Sequence, residues 1–256
     1  MLSSVNHLIG ASVTATDGEI GQVNAAFFDD QSWTIRYLVV DTGSWLVGRE
    51  VLISPYAVHQ PIGSVRNIDV SLTRQQVQDS PDVDTRQPVS RQHEREYLSY
   101  YAYPEYWDGG GLWGTGSFPL LPFVVPTPAE IAANIALRER EVEVADPHLR
   151  SSVAVTGYEI RATDGSIGHV KDFVFDDESW AIRYLVVDTR NWWPGGKKVL
   201  VGTPWIDSID WSTKAVEVGL TRERVKSSPA YDEAPTVTRD FEKRLHAAHK
   251  RQGYWD

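Results

Sequence analysis

The sequence predicts a mainly β chain: two small β-barrels with short flanking helices, joined by an aromatic, Gly- and Pro-rich linker that contains one helix. Three observations carry that expectation. Trp33–Thr42 and Trp180–Thr189 are near-copies that differ at one position in ten. The likeness widens to Thr16–Thr42 against Thr163–Thr189, with 19 identities in 27 positions at a constant offset of 147. Each copy is also a run of short apolar stretches broken by Gly- and Asp-containing turns, the pattern of a small barrel.

After a one-residue insertion near Gly195-Gly196 the offset becomes 148. It then pairs Leu72-Thr73-Arg74 with Leu220-Thr221-Arg222, and Tyr106-Trp107-Asp108 with Tyr254-Trp255-Asp256. The chain therefore reads as one unit over 1–108, a linker over 109–148 and a second unit over 149–256. Two copies are too few for a solenoid, and each is the size of a small domain. Duplication and fusion is the simplest account.

In order along the first unit, Val13–Thr16 leads into Asp17-Gly18 and Ile20–Phe28 leads out, a hairpin signal for a type I′ turn. Gly21 and Gly168 each follow a turn glycine by three residues, where a strand glycine marks a bulge or a close backbone approach. The Trp33 strand comes next. With period two, Trp33, Ile35, Tyr37 and Val39 share one face, and Thr34, Arg36, Leu38 and Val40 the other. Glu50–Ile53 and Val65–Leu72 complete the strands. Thr73-Arg74-Gln75-Gln76 forms a capping box, whereas its counterpart at Thr221 keeps the cap without the reciprocal Glu or Gln. Ser90–Tyr101 and Thr238–Lys250 read as a second helix in each unit. In the linker, Thr127-Pro128-Ala129-Glu130 opens a helix over about 127–144 that Pro147 ends.

Composition excludes several functions. With no cysteine there is no disulfide framework, thiolate nucleophile or Cys-ligated zinc, which fits a reducing compartment. The net charge of −10 is concentrated in the first 148 residues, so no basic footprint for nucleic acid is present. The Met1–Gly10 stretch lacks the features of a signal peptide. The apolar run Phe118–Val125 is broken by Pro119 and Pro122, too short for a span of about 20 residues. A cytoplasmic protein without a membrane span is expected.

Candidate chemistry is sparse. Asp29-Asp30 and Asp176-Asp177 read better as solvated turns than as acid–base pairs, because neighbouring residues point apart. Glu242, His246 and His249 fall on one helical face, where three metal ligands could meet, but the first copy has Glu94, Leu98 and Tyr101 there. The 109–116 glycines lack the Gly-Lys-Ser/Thr of a phosphate loop, and no serine sits in a Gly-x-Ser-x-Gly elbow. No catalytic residue, cofactor or metal is assigned. Arg36 and Arg183 stand mid-strand among apolar residues; pairing with a carboxylate such as Asp41 or Asp188 is the first reading, an anion site the second. Aromatic loop residues are the interaction candidates: Trp45, Trp192, Trp193, Tyr103, Tyr106, Trp107 and Trp113. Equally, such rings could simply cover their own barrels.

Taken together, Asp17-Gly18-x-Ile20-Gly21-x-Val23, Phe28-Asp29-Asp30 and the Trp33–Thr42 strand resemble the PRC-barrel family, and the second copy repeats all three elements in the same order and spacing. The resemblance implies small β-barrels like the cytoplasmic domain of the photosynthetic reaction-centre H subunit and the C-terminal domain of a ribosome-maturation factor. Those relatives hold protein partners. A photosynthetic role is not expected, because the reaction-centre subunit is membrane-anchored with one barrel. The expected function is a non-catalytic scaffold or adaptor whose barrels mediate protein–protein interaction or self-assembly, including a homo-oligomer. A small-molecule or metal-binding regulator is the alternative, and an enzyme is not expected.

Overall fold

Backbone hydrogen bonds gather the strands into two sheets whose orders echo each other, as the repeat requires. The computed structural model describes residues 1–46, 48–59, 66–82, 89, 91–106, 148–190, 192, 194–233 and 236–255. The expected helix at 127–144, and with it nearly all of the expected linker, lies outside the described residues.

The first half contributes β1 (Leu2–Ser4), β2 (Ser12–Ala15), β3 (Gly18–Asp29), β4 (Thr34–Asp41), β5 (Glu50–Ile53) and β6 (Asn67–Asp69), then α1 (Arg74–Gln78) and α2 (Arg91–Tyr100). The second contributes β7 (Leu149–Ser151), α3 (Ser152–Val155), β8 (Glu159–Ala162), β9 (Gly165–Asp176), β10 (Ile182–Asp188), β11 (Lys198–Gly202), β12 (Ile206–Asp210), β13 (Ala215–Val218), α4 (Arg222–Ser227), β14 (Thr236–Val237) and α5 (Arg239–His249). The paths run β5-β4-β3-β2-β6 and β11-β10-β9-β8-β13-β12. Among the described residues neither path closes into a continuous ladder. In the second half, however, the two end strands are consecutive, joined by the single 3-10 turn Thr203–Trp205.

Local sequence explains the element ends. Thr73 caps α1 with the full capping box, and Thr221 caps α4 with its side chain alone, as their neighbours dictate. Gly21 and Gly168 are needed for a close approach: an added Cβ would lie 1.9 Å from the Asp41 carbonyl oxygen or 2.1 Å from that of Asp188. Only a residue without a side chain fits there.

Two expectations need correction. The hairpin between β2 and β3 is present, but positive φ falls on Gly18 at +145° and on neither Thr16 nor Asp17, so the turn is not type I′. The face assignment of the Trp33 strand also fails. Phe27 pairs with Tyr37 but Phe28 with Ile35, which makes Arg36 the extra residue of a β-bulge. Arg183 repeats this between Ile182 and Tyr184. The bulge flips the alternation: Ile35, Leu38 and Val40 enter the main core, while Tyr37 and Val39 pack on the other face with Tyr97 and Leu98 of α2. Trp33 itself lies before the strand at φ 54°, a left-handed conformation shared by Trp180 at 60°.

The halves exchange their first strands. β1 pairs with β9 of the second half, and β7 pairs with β3 of the first. The registers correspond residue for residue, Leu2↔Asp176 against Leu149↔Asp29. Between them, Ile35 N–H donates to the Trp180 carbonyl at 2.9 Å and Ile182 N–H to the Trp33 carbonyl at 2.7 Å. One hydrophobic core runs from Leu2 through both halves to Leu245. The two units are therefore interlocked, not merely tethered.

Candidate functional site

The turns after β3 and β9 explain where the paired acids go. Asp29 Oδ1 accepts from the N–H groups of Gln31 and Ser32, and Asp176 Oδ1 from Glu178 and Ser179, so the first acid of each pair caps its turn. The second acid reaches across the seam. Arg150 Nε donates to Asp30 Oδ2 at 2.8 Å, and Asp177 receives the amine of Met1. Asp29 and Asp177 are each 3% exposed, which overturns the solvated-turn reading. Asp30 and Asp177 clamp the exchanged strands, while Asp29 and Asp176 hold the turns.

The bulge arginines do not pair with Asp41 or Asp188. Asp41 accepts from Gly43 N–H and Asp188 binds Arg190. Arg36 instead donates to Ser32 Oγ at 3.0 Å and lies 3.8 Å over the Tyr106 ring. Arg183 lies 4.2 Å over the Tyr254 ring, the equivalent pair. The bulge turns each guanidinium away from the main core and onto the tyrosine that follows the last helix of its half.

Beside each arginine sits a buried carboxylate. In the first half, Tyr106 OH donates to Glu94 Oε1 at 2.6 Å and His148 Nε2 lies 2.7 Å from Glu94 Oε2. In the second, Tyr184 OH donates to Glu242 Oε1 at 2.8 Å, and Arg239 Nη1 lies 2.9 Å from Glu242 Oε2. His246 Nε2 is 2.9 Å from the same Tyr184 hydroxyl, and its Nδ1 is 2.8 Å from the Gln252 carbonyl. A carbonyl only accepts, so Nδ1 carries a proton. Burial raises the Tyr184 phenol well above its ordinary value, with the Glu242 charge adding to it, and burial raises Tyr254 to about 12. Both phenols stay protonated, and that of Tyr184 donates to Glu242.

A cavity of about 210 Å³ opens beside this cluster. Tyr184, Trp205 and His246 form its buried inner wall, while Pro204 and Gln252 stand exposed at its rim. Arg183, Thr203 and Tyr254 line the sides. His249, which the helical spacing placed beside His246, turns instead to Ser228 Oγ at 3.2 Å. Among the described residues no group of three His, Cys, Asp or Glu side chains could hold a metal ion.

The aromatic candidates fall into three sets. Trp45 and Trp192 are half-buried against their own halves: Arg74 covers Trp45 at 4.4 Å, Arg222 covers Trp192 at 4.0 Å, and the Trp45 indole donates to the Ile20 carbonyl. Tyr103 stacks on Tyr56 at 5.1 Å, and Tyr106 is the buried donor to Glu94. Trp107, Trp113 and Trp193 lie outside the described residues. Sequence reasoning did not foresee the Glu–Tyr–His clusters. Their signal was available: Arg36, Tyr37, Glu94 and Tyr106 are each identical to their counterparts Arg183, Tyr184, Glu242 and Tyr254.

Comparison with known proteins bears on the second half. Residues 152–223 match the family model of the PRC-barrel domain. That stretch runs from α3 to the start of α4 and includes Arg183, Tyr184 and Trp205. No curated protein matches the chain. Among the described residues no helix is long and apolar enough to cross a membrane.

Proposed function

We propose that the protein is a non-catalytic cytoplasmic scaffold, made of two PRC-type barrels over 1–108 and 149–256, that holds protein partners or further copies of itself. The reciprocal strand exchange carries this reading. Two equivalent halves locked by β1 on β9 and β7 on β3 present each outward surface twice on one rigid frame. That geometry suits bridging two copies of a partner. The end strands β11 and β12, consecutive through one 3-10 turn, support a barrel in the second half, and the matched register supports a second barrel in the first. The chemistry-bearing side chains support a structural role as well, since Asp30, Glu94, Asp177 and Glu242 are all spent on links within the fold. The net charge of −10 argues against nucleic acid as the partner.

The test is capture from the native host followed by sedimentation of the purified complex. A stoichiometric complex with two partner copies per chain, or concentration-dependent self-association, is expected. A chain that sediments alone at every concentration and turns over a metabolite would overturn the proposal.

A second reading, a small-molecule-binding regulator, is favoured by the cavity beside Tyr184 and Trp205. Its metal-binding form would need His249 beside His246, whereas His249 is bound to Ser228.

A further inference from the structure

The cavity of the second half lies largely where the two copies differ: between 50–81 and 198–229 only 10 of 32 positions are identical. Ten residues line the cavity of the second half, and by the 147 and 148 offsets three of them keep the residue of the first half: Arg183, Tyr184 and Tyr254. The other seven differ. The Trp205 position is Ala57 in the first half, Pro204 is Tyr56, Gly202 is Ser54 and His246 is Leu98. Arg183 and Tyr184 belong to the Thr163–Thr189 stretch, where 19 of 27 positions are identical, and the other eight lie outside it. The fold therefore tolerates Ala and Leu where the second half carries Trp and His.

The replacements alter the chemistry in a consistent direction. Trp205 supplies a broad ring to the buried wall, its centroid 5.1 Å from His246, and Gly202 makes room beside it. Pro204 in place of Tyr56 removes a ring from the rim. Arg183 brings a guanidinium to the side, stacked on Tyr254. Glu242, a buried carboxylate near the cavity, already faces Arg239 and Tyr184. A planar aromatic wall with an arginine at its edge matches a planar ligand that carries an anionic group. Size agrees: a cavity of roughly 150 Å³ admits benzene, and this one, at about 210 Å³, leaves room for one further small group.

We propose that this cavity binds a small aromatic monocarboxylate, its ring against Trp205 and its carboxylate toward Arg183. The proposal rests on the second reading above, that the second half binds a small molecule, and adds the ligand's class.

Benzoate is the probe, titrated into the full chain by calorimetry with saturation-transfer NMR as a second readout. Benzamide, cyclohexanecarboxylate and acetate serve as comparators. Benzoate is expected to bind at least tenfold more tightly than benzamide, which lacks the charge, and than acetate, which lacks the ring. Arg183→Gln is expected to weaken benzoate at least tenfold while leaving benzamide within threefold. His246→Leu, which installs the first half's own residue, guards against a variant that fails to fold and is expected to lose saturation transfer to benzoate. If benzamide or cyclohexanecarboxylate binds as well as benzoate, the ligand class is wrong although the second half still binds small molecules. If no probe binds at 10 mM, or Arg183→Gln binds benzoate unchanged, both the class and the site are overturned.

Discussion

Thr34 and Ala181 occupy the same position of the repeat, 147 residues apart, and face each other as an isolated antiparallel bridge. A residue that meets its own counterpart lies on the approximate twofold axis of the molecule. The hydrogen bonds on either side, Ile35 to Trp180 and Ile182 to Trp33, are images of each other. The duplicated chain thus reproduces within one polypeptide the isologous interface of a homodimer.

The seam should hold without a covalent connection. Tyr106 and His148 border the segment between the halves, and both reach Glu94. A protease site placed in the Gly109-Gly110-Gly111 run and then cut is expected to leave a single species in size exclusion, with one cooperative unfolding transition. Separation of the fragments under native conditions would contradict this. Leu149→Ala, which truncates a fully buried side chain on an exchanged strand, should destabilise by about 2–5 kcal/mol in urea unfolding.

Gly21→Ala and Gly168→Ala should each destabilise by about 2–4 kcal/mol, because the new methyl would collide with the backbone of the neighbouring strand end. Gly43→Ala is the control. It also has positive φ, at +60°, but open space around it, so a loss of about 1 kcal/mol is expected. Equal losses at all three sites would show that conformation, not collision, governs these glycines.

The Glu94–His148 pair is buried, with side chains 0% and 4% exposed. Removing one partner strands the other, so Glu94→Ala should cost about 3–5 kcal/mol. His148→Ala should also destabilise, and the double variant should lose much less than the sum of the two. Additive losses, measured by urea unfolding, would deny the coupling.

Acid should weaken the second half through His249. Burial first, then the charges of Arg224, His246 and Arg251, hold its pKa down to about 4 from an ordinary 6.5. Between those values the unfolded chain binds a proton that the native chain refuses. Stability therefore falls as pH drops from about 6.5 to 4, and is fully present above 6.5. His249→Gln should flatten the dependence of Tm on pH in that window. A variant whose Tm follows pH as the parent's does would remove His249 as the cause.

The sequence by itself determined what depends on neighbours in the chain. The repeat, the place of the β2–β3 hairpin, the caps at Thr73 and Thr221 and the tight approach at Gly21 were legible, because cap bonds and a missing side chain are set within a few residues, whereas the type of that turn was not. Tertiary structure decided the rest. Nothing in Leu2–Ser4 or Leu149–Ser151 marks them as strands that leave their own half, since a three-residue strand acquires meaning only from the edge it completes. Arg36 and Arg183 became bulges because β3 and β9 fix the register opposite them, and one extra residue reverses every side chain beyond it. The same reversal carried Tyr184 to the face where Glu242 and His246 wait, 58 and 62 residues further along. Proximity across such separations is a property of the folded sheet and helix together, and no local pattern encodes it.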